Sequence, residues 1–144
     1  SIERPETAWA EGVRLGFDLK VRPVVRLASA IEGRDGTFPK GAEVDAFLAE
    51  ALRNDRARPR EEVYLDWLAA RLEPVAELER RAARLHRFRR VRSQRGGRRV
   101  EGPEAVVHGA LTVRDSRGFA RMLARGVGRH RSYGYGMLLL RPPQ

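Results

Sequence analysis

The order of hydrophobic patterns along the chain predicts an α+β domain built on an antiparallel sheet. Three observations support this prediction: a segment of period-two alternation near the start, a long amphipathic helix in the middle, and two strand patterns joined by a pair of glycines. The chain has 144 residues, of which 42% are hydrophobic and 33% charged, a balance typical of one globular domain. We therefore expect one main hydrophobic core.

The first predicted elements are a strand and an inserted helix. Apolar and polar side chains alternate from Val13 to Val21, as in a half-buried strand, and Pro23 ends the pattern. The stretch ASAIEGRDGTFPKG that follows has the Gly, Pro and Asp residues of a loop, and apolar residues then recur at helical spacing from Val44 to Leu52. We interpret residues 27–59 as an insertion that carries one helix.

The strongest helix pattern lies in the centre of the chain. It covers residues 63–72, where apolar side chains form one broad face. Val75, Leu78 and Ala82 keep a helical spacing beyond Pro74, which predicts that the helix kinks or restarts there and continues.

A hairpin, a second helix and a last strand follow. The stretch RLHRFRRVRSQRGGRRVEG predicts an exposed strand that turns at Gly96 and Gly97 and pairs with AVVHGALTV. Asp115 is a good N-cap for a short helix that stops at Gly126, and SYGYGMLLL predicts the closing strand. The resulting order predicts the ferredoxin-like or RRM-like fold, a four-stranded antiparallel sheet with two helices on one face, here with the inserted helix added.

The closing strand is apolar on both of its faces. It contains Met137 and three successive leucines, whereas a lone sheet of this type leaves one face in water. We therefore expect another domain to cover that face.

The charge of the chain favours a polyanionic partner. There are 29 Lys plus Arg against 19 Asp plus Glu, which gives a formal net charge of +10, and nucleic acid is the first candidate for such a protein. Nearly all of these cations are arginine, which suits phosphate and base edges but would also result from a GC-rich genome.

Several classes of protein are excluded or disfavoured by composition. The absence of cysteine excludes a disulfide scaffold, a thiolate zinc site and a cysteine nucleophile, and the three histidines are scattered, so we expect no metal and no cofactor. No apolar run approaches the roughly 20 residues of a membrane span, so we expect a cytoplasmic protein with no membrane partner.

The arginine-rich hairpin is the first candidate nucleic-acid site. Ten arginines and no acidic residue lie between Arg80 and Arg99, and we interpret the run as one whose self-repulsion a bound polyanion relieves. The alternative is a solvated edge strand charged against aggregation. The predicted contacts are Arg87, Arg89, Arg90, Arg92, Arg95, Arg98 and Arg99.

The stretch GVGRHRSYGYG is the second candidate. Its spacing and its place between a helix and a strand do not fit a dinucleotide fingerprint or a Walker loop. Closely spaced backbone N–H groups together with Arg129, His130 and Arg131 suit an RNA backbone instead. Taken singly, Gly126 could simply end the helix, and Gly134 and Gly136 could simply let the closing strand pass close to a neighbour. The glycines of this predicted glycine-rich loop are Gly126, Gly128, Gly134 and Gly136.

A resemblance to a known family adds to this interpretation. The segments GVRLGFDLKVRPVVR, REEVYLDWLAARLEP and VVHGALTVRDSRGFARMLARGVGRHRSYGYGMLLL resemble the carboxy-terminal part of the CasE family. CasE is the CRISPR repeat-processing endoribonuclease subunit of type I-E Cascade. The resemblance covers most of the chain but is loose across the insertion. The glycine-rich loop of repeat-associated RNA-binding proteins coincides with the four glycines named above.

The resemblance implies two tandem ferredoxin-like domains, of which this chain holds the second. Residues 1–12 would be a linker from an upstream domain and residues 13–144 the ferredoxin-like domain. It also implies metal-independent cleavage of a repeat RNA hairpin by attack of a ribose 2′-OH, followed by retention of the product within Cascade.

The catalytic residue is not assigned from this stretch. In the family the expected histidine lies in the first domain, so His130 is the single candidate here, and a role as a phosphate contact is an equal alternative. The competing hypothesis for the whole chain is a non-catalytic ferredoxin-like RNA-binding module, such as a ribosomal protein or a structural Cascade subunit.

Overall fold

The computed structural model describes residues 9–54, 57–95 and 98–143; for 93–95, 98–100 and Ser132 it describes the backbone alone. The predicted turn at Gly96 and Gly97 therefore lies outside the described residues, as does most of the predicted linker. The elements in chain order are β1 (Arg14–Val21), β2 (Val24–Arg26), β3 (Ile31–Gly33), β4 (Gly36–Phe38), β5 (Glu43–Asp45), α1 (Ala46–Arg53), α2 (Arg60–Leu72), β6 (Ala76–Leu78), β7 (Arg84–Arg95), β8 (Arg98–Val113), α3 (Ser116–Arg125) and β9 (Leu138–Arg141).

The main sheet has the strand order of a ferredoxin-like fold. β1 lies between β9 and β8, and β8 pairs on its other side with β6 near one end and with β7 along most of its length. All of these pairs are antiparallel; Phe17, for example, lies opposite Leu140 on one side and Gly109 on the other. With α2 before the β7–β8 hairpin and α3 after it, the predicted α+β ferredoxin-like topology is confirmed.

The core lies between the sheet and the two helices. Alternate β1 residues Phe17 and Leu19 are at most 2% exposed and share one cluster with Leu68 of α2 and Phe119 of α3. The period-two pattern that predicted β1 is the direct consequence of this one-sided burial. Trp9, just before the strand, also packs edge-on against Phe119, with ring centroids 5.9 Å apart.

The predicted continuation of the central helix beyond Pro74 is wrong. α2 ends at Leu72, Ala76–Leu78 form strand β6, and Arg80–Ala82 form a turn of 3₁₀ helix. Ala76 and Leu78 are both buried, because β6 pairs with the end of β8 and both side chains enter the main core. A strand of three residues is too short to distinguish the period of a strand from that of a helix in the hydrophobic pattern.

The insertion contains more structure than the single predicted helix. The predicted loop forms the β3–β4 hairpin, β2 pairs with β5, and α1 follows. A small second core holds this unit together, formed by Leu27, Ile31, Val44 and Ala49.

Asp45 joins the insertion to the main domain. Its side chain, 2% exposed, caps α1 by accepting a hydrogen bond from the Phe47 N–H at 2.9 Å. It also accepts from the Tyr64 hydroxyl at 2.8 Å and from Arg60 at 3.0 Å, both on α2. Burial, and then the Asp45 charge, raise the pKa of Tyr64. Asp45, a buried carboxylate bonded to both α1 and α2, therefore helps to hold the insertion against the main domain, together with the packing of Ala46 and Phe47 on the main core.

The closing strand is shorter than predicted. Residues 131–133 form a 3₁₀ turn, and β9 begins at Leu138. Leu138 faces the core, whereas Met137 and Leu139 are 65% and 59% exposed. The second face is thus apolar, as the pattern indicates, and its cover by another domain stays a prediction. Within the described residues, no helix is long and apolar enough to cross a membrane.

Candidate nucleic-acid interface

The β7–β8 hairpin extends beyond the sheet as a two-stranded arm. β1 pairs with β8 only as far as Ala105, whereas β7 and β8 pair as far as Arg95 opposite Arg98. Side chains alternate between the two faces of a strand, so Arg87 and Arg89 lie on the face that the helices leave open, and Phe88 and Arg90 lie on the other face. The predicted arginines therefore line both faces of the arm, and the side chains of Arg95, Arg98 and Arg99 lie outside the described atoms.

The facing strand supplies the acids that the arginine run lacks. Arg89 is hydrogen-bonded to Glu104, and the Arg92 Nε donates to a Glu101 oxygen at 3.2 Å. Arg90 approaches Asp45 of the insertion at 4.0 Å. The expectation that only a ligand relieves the repulsion of the run is therefore wrong, because it counted acids along the sequence and not across the sheet.

The hairpin nevertheless keeps accessible positive charge. The side chains of Arg89, Arg90 and Arg92 are each more than half exposed, so their guanidinium groups can still reach phosphates. Arg87 is exposed, and no carboxylate in the described part of the chain pairs with it.

Glu104 is a buried acid at the base of the arm. Its side chain is 6% exposed and accepts hydrogen bonds from Arg89 and from the Tyr135 hydroxyl, the latter at 2.9 Å, with the Lys20 ammonium 3.6 Å away. Burial by itself would raise the pKa of Glu104, but the hydrogen bonds from Arg89 and Tyr135 and the two cations hold that pKa below its ordinary value. Burial and the same hydrogen bond raise the pKa of Tyr135.

The stability of the domain should depend on the ionisation of Glu104. A carboxyl group whose pKa is lower in the folded state stabilises the fold above its unfolded pKa of about 4.3, and the effect disappears as pH falls through the folded pKa. We expect Glu104→Gln to lower the free energy of unfolding by about 2 kcal/mol at pH 7, through the loss of charged hydrogen bonds. Urea unfolding at pH 7, 5, 4 and 3 should show this difference shrinking towards the acid end.

Glu101→Gln is the matched control, because Glu101 lies on the same strand but is 42% exposed, and among the described side chains it pairs with Arg92 alone. It should change stability by less than about 0.5 kcal/mol. A Glu104→Gln deficit that stays constant from pH 7 to pH 3 would contradict the role of the charge.

The glycine-rich loop is held in place by its own glycines. Gly126 caps α3 with φ +91° and donates its N–H to Met122, so the predicted helix cap is confirmed. At Gly136 a Cβ would lie 2.3 Å from the Val127 carbonyl oxygen, which confirms the predicted close approach. For Gly134 that prediction is wrong: nothing lies within 4 Å of such a Cβ, and its positive φ is what requires glycine.

The charged side chains of the loop differ in their surroundings. His130 has a left-handed backbone, and its Nε2 lies 2.7 Å from a Glu43 oxygen of β5. Arg131 donates to the Arg125 carbonyl oxygen at 3.1 Å, whereas Arg129 is exposed, with no ion-pair partner among the described residues. Among the described residues, no backbone carbonyl accepts a hydrogen bond from the N–H groups of Gly128 and Arg129. These two N–H groups can therefore bind an anion.

The fold brings the hairpin and the glycine-rich loop to one groove. Arg90 and Glu101 of the hairpin line it together with His130 and Tyr133 of the loop and Glu43 of the insertion, and its volume is about 610 Å³. The sequence patterns predicted two separate sites, because the hairpin and the loop are about 40 residues apart along the chain.

Other residues of the interface escaped the sequence analysis. Arg22, Lys20 and Tyr135 meet around the base of the arm, where both cations lie within 6 Å of the Tyr135 ring. No local pattern distinguishes Arg22 from the other arginines. Only the run of two cations around Val21, just before Pro23, marks that end of β1 as basic.

Comparison with known proteins decides the family. The model of a family described as CRISPR associated protein matches residues 1–142. The chain belongs to this CRISPR-associated protein family. No curated protein sequence matches the chain.

Solved structures of CRISPR proteins share the fold. CRISPR endoribonuclease Cse3 bound to a 19-nucleotide RNA has a TM-score of 0.70 and 24% identity, over 99% of this chain and 61% of that one. Thermus thermophilus Cse3 bound to an RNA representing a pre-cleavage complex has a TM-score of 0.64 and 25% identity, over 92% and 55%. A chain of a CRISPR RNA-guided surveillance complex has a TM-score of 0.58 and 20% identity, over 92% and 60%.

These findings confirm the resemblance to the CasE family that the three quoted segments predicted. The chain spans about three fifths of the length of the solved proteins that it matches. The residues of the interface are not tested by these matches and stay predictions.

Proposed function

We propose that this chain is the RNA-holding, carboxy-terminal part of a CRISPR repeat-processing endoribonuclease. The observation that supports this proposal is the convergence of the arginine-rich hairpin and the glycine-rich loop on one groove in a member of the CRISPR-associated family. The arm carries guanidinium groups on both faces, and the loop adds Arg129 and free N–H groups. Such an arrangement binds a phosphate backbone without reading its bases.

The proposed reaction is cleavage of a repeat RNA at the base of its hairpin. The ribose 2′-OH attacks the adjacent phosphorus, the bond to the 5′ oxygen breaks, and the products are a 2′,3′-cyclic phosphate and a 5′-hydroxyl. The reaction requires a base for the 2′ proton, an acid for the leaving oxygen and cations for the developing charge. Arginines of the arm and the loop supply those cations in this proposal.

The general base is expected from an upstream domain. His130 is 20% exposed and its Nε2 is shared with Glu43, so it is better placed to orient the loop than to accept a proton from RNA. The contact of His130 with Glu43 also favours the second candidate function, a non-catalytic RNA-binding module, for the chain taken alone.

The proposed partners are the repeat RNA hairpin and the other subunits of Cascade in the cytoplasm. The fold match to a chain of a CRISPR RNA-guided surveillance complex supports the assembly. Tight binding of the cleaved hairpin would keep the mature CRISPR RNA in that assembly.

A cleavage assay separates the two candidate functions. The full-length protein is incubated with a repeat hairpin in EDTA, and the products are resolved on a denaturing gel. We expect one cut at the base of the hairpin, leaving a cyclic phosphate, because the 2′-OH mechanism uses no metal ion. A hairpin with a 2′-deoxyribose at the cut position is the control, and it should bind without being cut.

Binding of the hairpin without cleavage in EDTA and in Mg²⁺ would contradict the nuclease and leave the RNA-binding module. Cleavage of the 2′-deoxy hairpin would contradict the mechanism.

A further inference from the structure

Arg22 is a buried cation with free hydrogen-bonding capacity. The residue is 3% exposed, its Nε donates to the Pro103 carbonyl oxygen at 3.1 Å, and its guanidinium group lies 5.7 Å from the centre of the Tyr135 ring. Among the residues that the structure describes, no carboxylate pairs with it and no acceptor binds its two terminal nitrogens. These two nitrogens open into a groove, so they are available to an acceptor from another molecule, and a largely buried charge gains from such a hydrogen bond.

The chain makes room for this arginine. A Cβ on Gly102 would lie 2.2 Å from the Arg22 Nη2, so only a glycine on β8 lets the guanidinium group occupy its place. The group lies in the groove defined above, whose other lining residues include the apolar side chains of Val24, Phe38 and Leu48. Its volume of about 610 Å³ falls within the range of small-molecule sites.

The acidic residues of the groove are already paired inside the protein. Glu43 contacts His130, Glu101 accepts from Arg92, and Asp45 accepts from Arg60 and Tyr64. The groove therefore combines apolar walls with two guanidinium groups, the exposed one of Arg90 and the buried one of Arg22, and it opens between the hairpin and the glycine-rich loop.

We propose that the groove takes one unpaired base of the bound RNA. The base would lie against Phe38 and Leu48, with acceptors on its edge bonded to Arg22. Unpaired RNA bases are bound in this way, by stacking and by hydrogen bonds to their edges. A guanidinium fork matches the adjacent O6 and N7 acceptors of guanine, so guanine is the expected base. This inference rests on the proposed function, because the RNA is placed by the hairpin and the loop.

The test uses hairpin RNAs with synthetic tails and the full-length protein. One hairpin is blunt, and others carry five-nucleotide tails at the 5′ or 3′ end that are abasic throughout or abasic except for one guanine, moved through the five positions. One position is expected to bind about tenfold tighter than the fully abasic tail. Adenine, cytosine or uracil at that position should give a smaller gain.

Three variants assign the gain to the groove. Arg22→Lys keeps the charge but removes the fork, and Phe38→Ala removes a wall; in each variant the single-guanine tail should bind no tighter than that variant's fully abasic tail. Leu52→Ala is the control, because Leu52 lines a neighbouring cavity of the insertion and not the groove, and it should keep the gain. Thermal melting identifies any variant that does not fold.

Each outcome decides the proposal. If every tail position gives less than a twofold gain while the blunt hairpin binds, the base site is wrong, a protein segment becomes the favoured occupant and the proposed function stands. If no hairpin binds, both proposals fail. If Arg22→Lys does not fold, the tail series and Phe38→Ala decide, and a guanine gain that survives in Phe38→Ala overturns the site.

Discussion

Replacing Arg95, Arg98 and Arg99 by alanine is expected to weaken RNA binding on the order of a hundredfold at 0.1 M salt. Each phosphate contact that is lost removes roughly 0.7 to 0.9 units from the slope of log affinity against log salt, so three contacts remove about 2 to 3 units. The measurement is fluorescence anisotropy of a labelled repeat hairpin between 50 and 300 mM KCl.

The position of these residues makes the effect large. They lie at the end of the arm, where β7 and β8 pair only with each other, beyond the last contact of β1 with Ala105. Among the described residues of the arm, the acidic ones are Glu101 and Glu104, which lie opposite Arg92 and Arg89. The end of the hairpin beyond them is therefore strongly basic.

A control with the same change in net charge distinguishes contact from long-range attraction. Arg34, Arg53 and Arg121 are exposed and lie on the β3–β4 turn, on α1 and on α3, and none of them belongs to the arm or to the glycine-rich loop. Their triple alanine variant should keep the salt slope within about half a unit, since no phosphate contact is lost. Equal slopes in the wild type and the arm variant would show that the arm carries only solvated charge.

Gly136→Ala is expected to destabilise the domain by about 3 kcal/mol. The new Cβ would lie 2.3 Å from the Val127 carbonyl oxygen and 2.9 Å from its nitrogen, and φ is +89°. The backbone must shift, which breaks the bonds from the Val127 N–H to Gly136 and from the Gly136 N–H to Lys20, both 2.7 to 2.8 Å long. The cost combines about 1–2 kcal/mol for the left-handed backbone with about 1 kcal/mol for each hydrogen bond.

Gly134→Ala separates the two causes. Gly134 has nearly the same φ, +86°, but no atom lies within 4 Å of a Cβ built on it. It should cost only the conformational penalty of about 1 kcal/mol. Chemical denaturation of both variants provides the comparison, and equal losses would show that packing against Val127 contributes nothing.

The fold was predictable where its elements are long and one-sided. β1 and α2 each bury one face against a common core, so their periods are visible in the sequence without knowledge of their neighbours. Strand β6 could not be predicted in this way, because its two buried residues follow a proline and the residues that pair with them lie on β8. The strand pairs of the insertion, β2–β5 and β3–β4, have three residues in each strand, and a small separate core stabilises them.

The candidate site divides in the same way. The sequence alone determined the basic arm and the positions of the four glycines, because dense charge and positive-φ glycines are local properties of the chain. Only the tertiary structure paired Arg89 with Glu104, placed His130 on Glu43 and left Arg22 buried in the groove. These contacts join residues 15 to 87 positions apart, and hydrogen bonds and burial depend on distance in space, which local sequence patterns do not record.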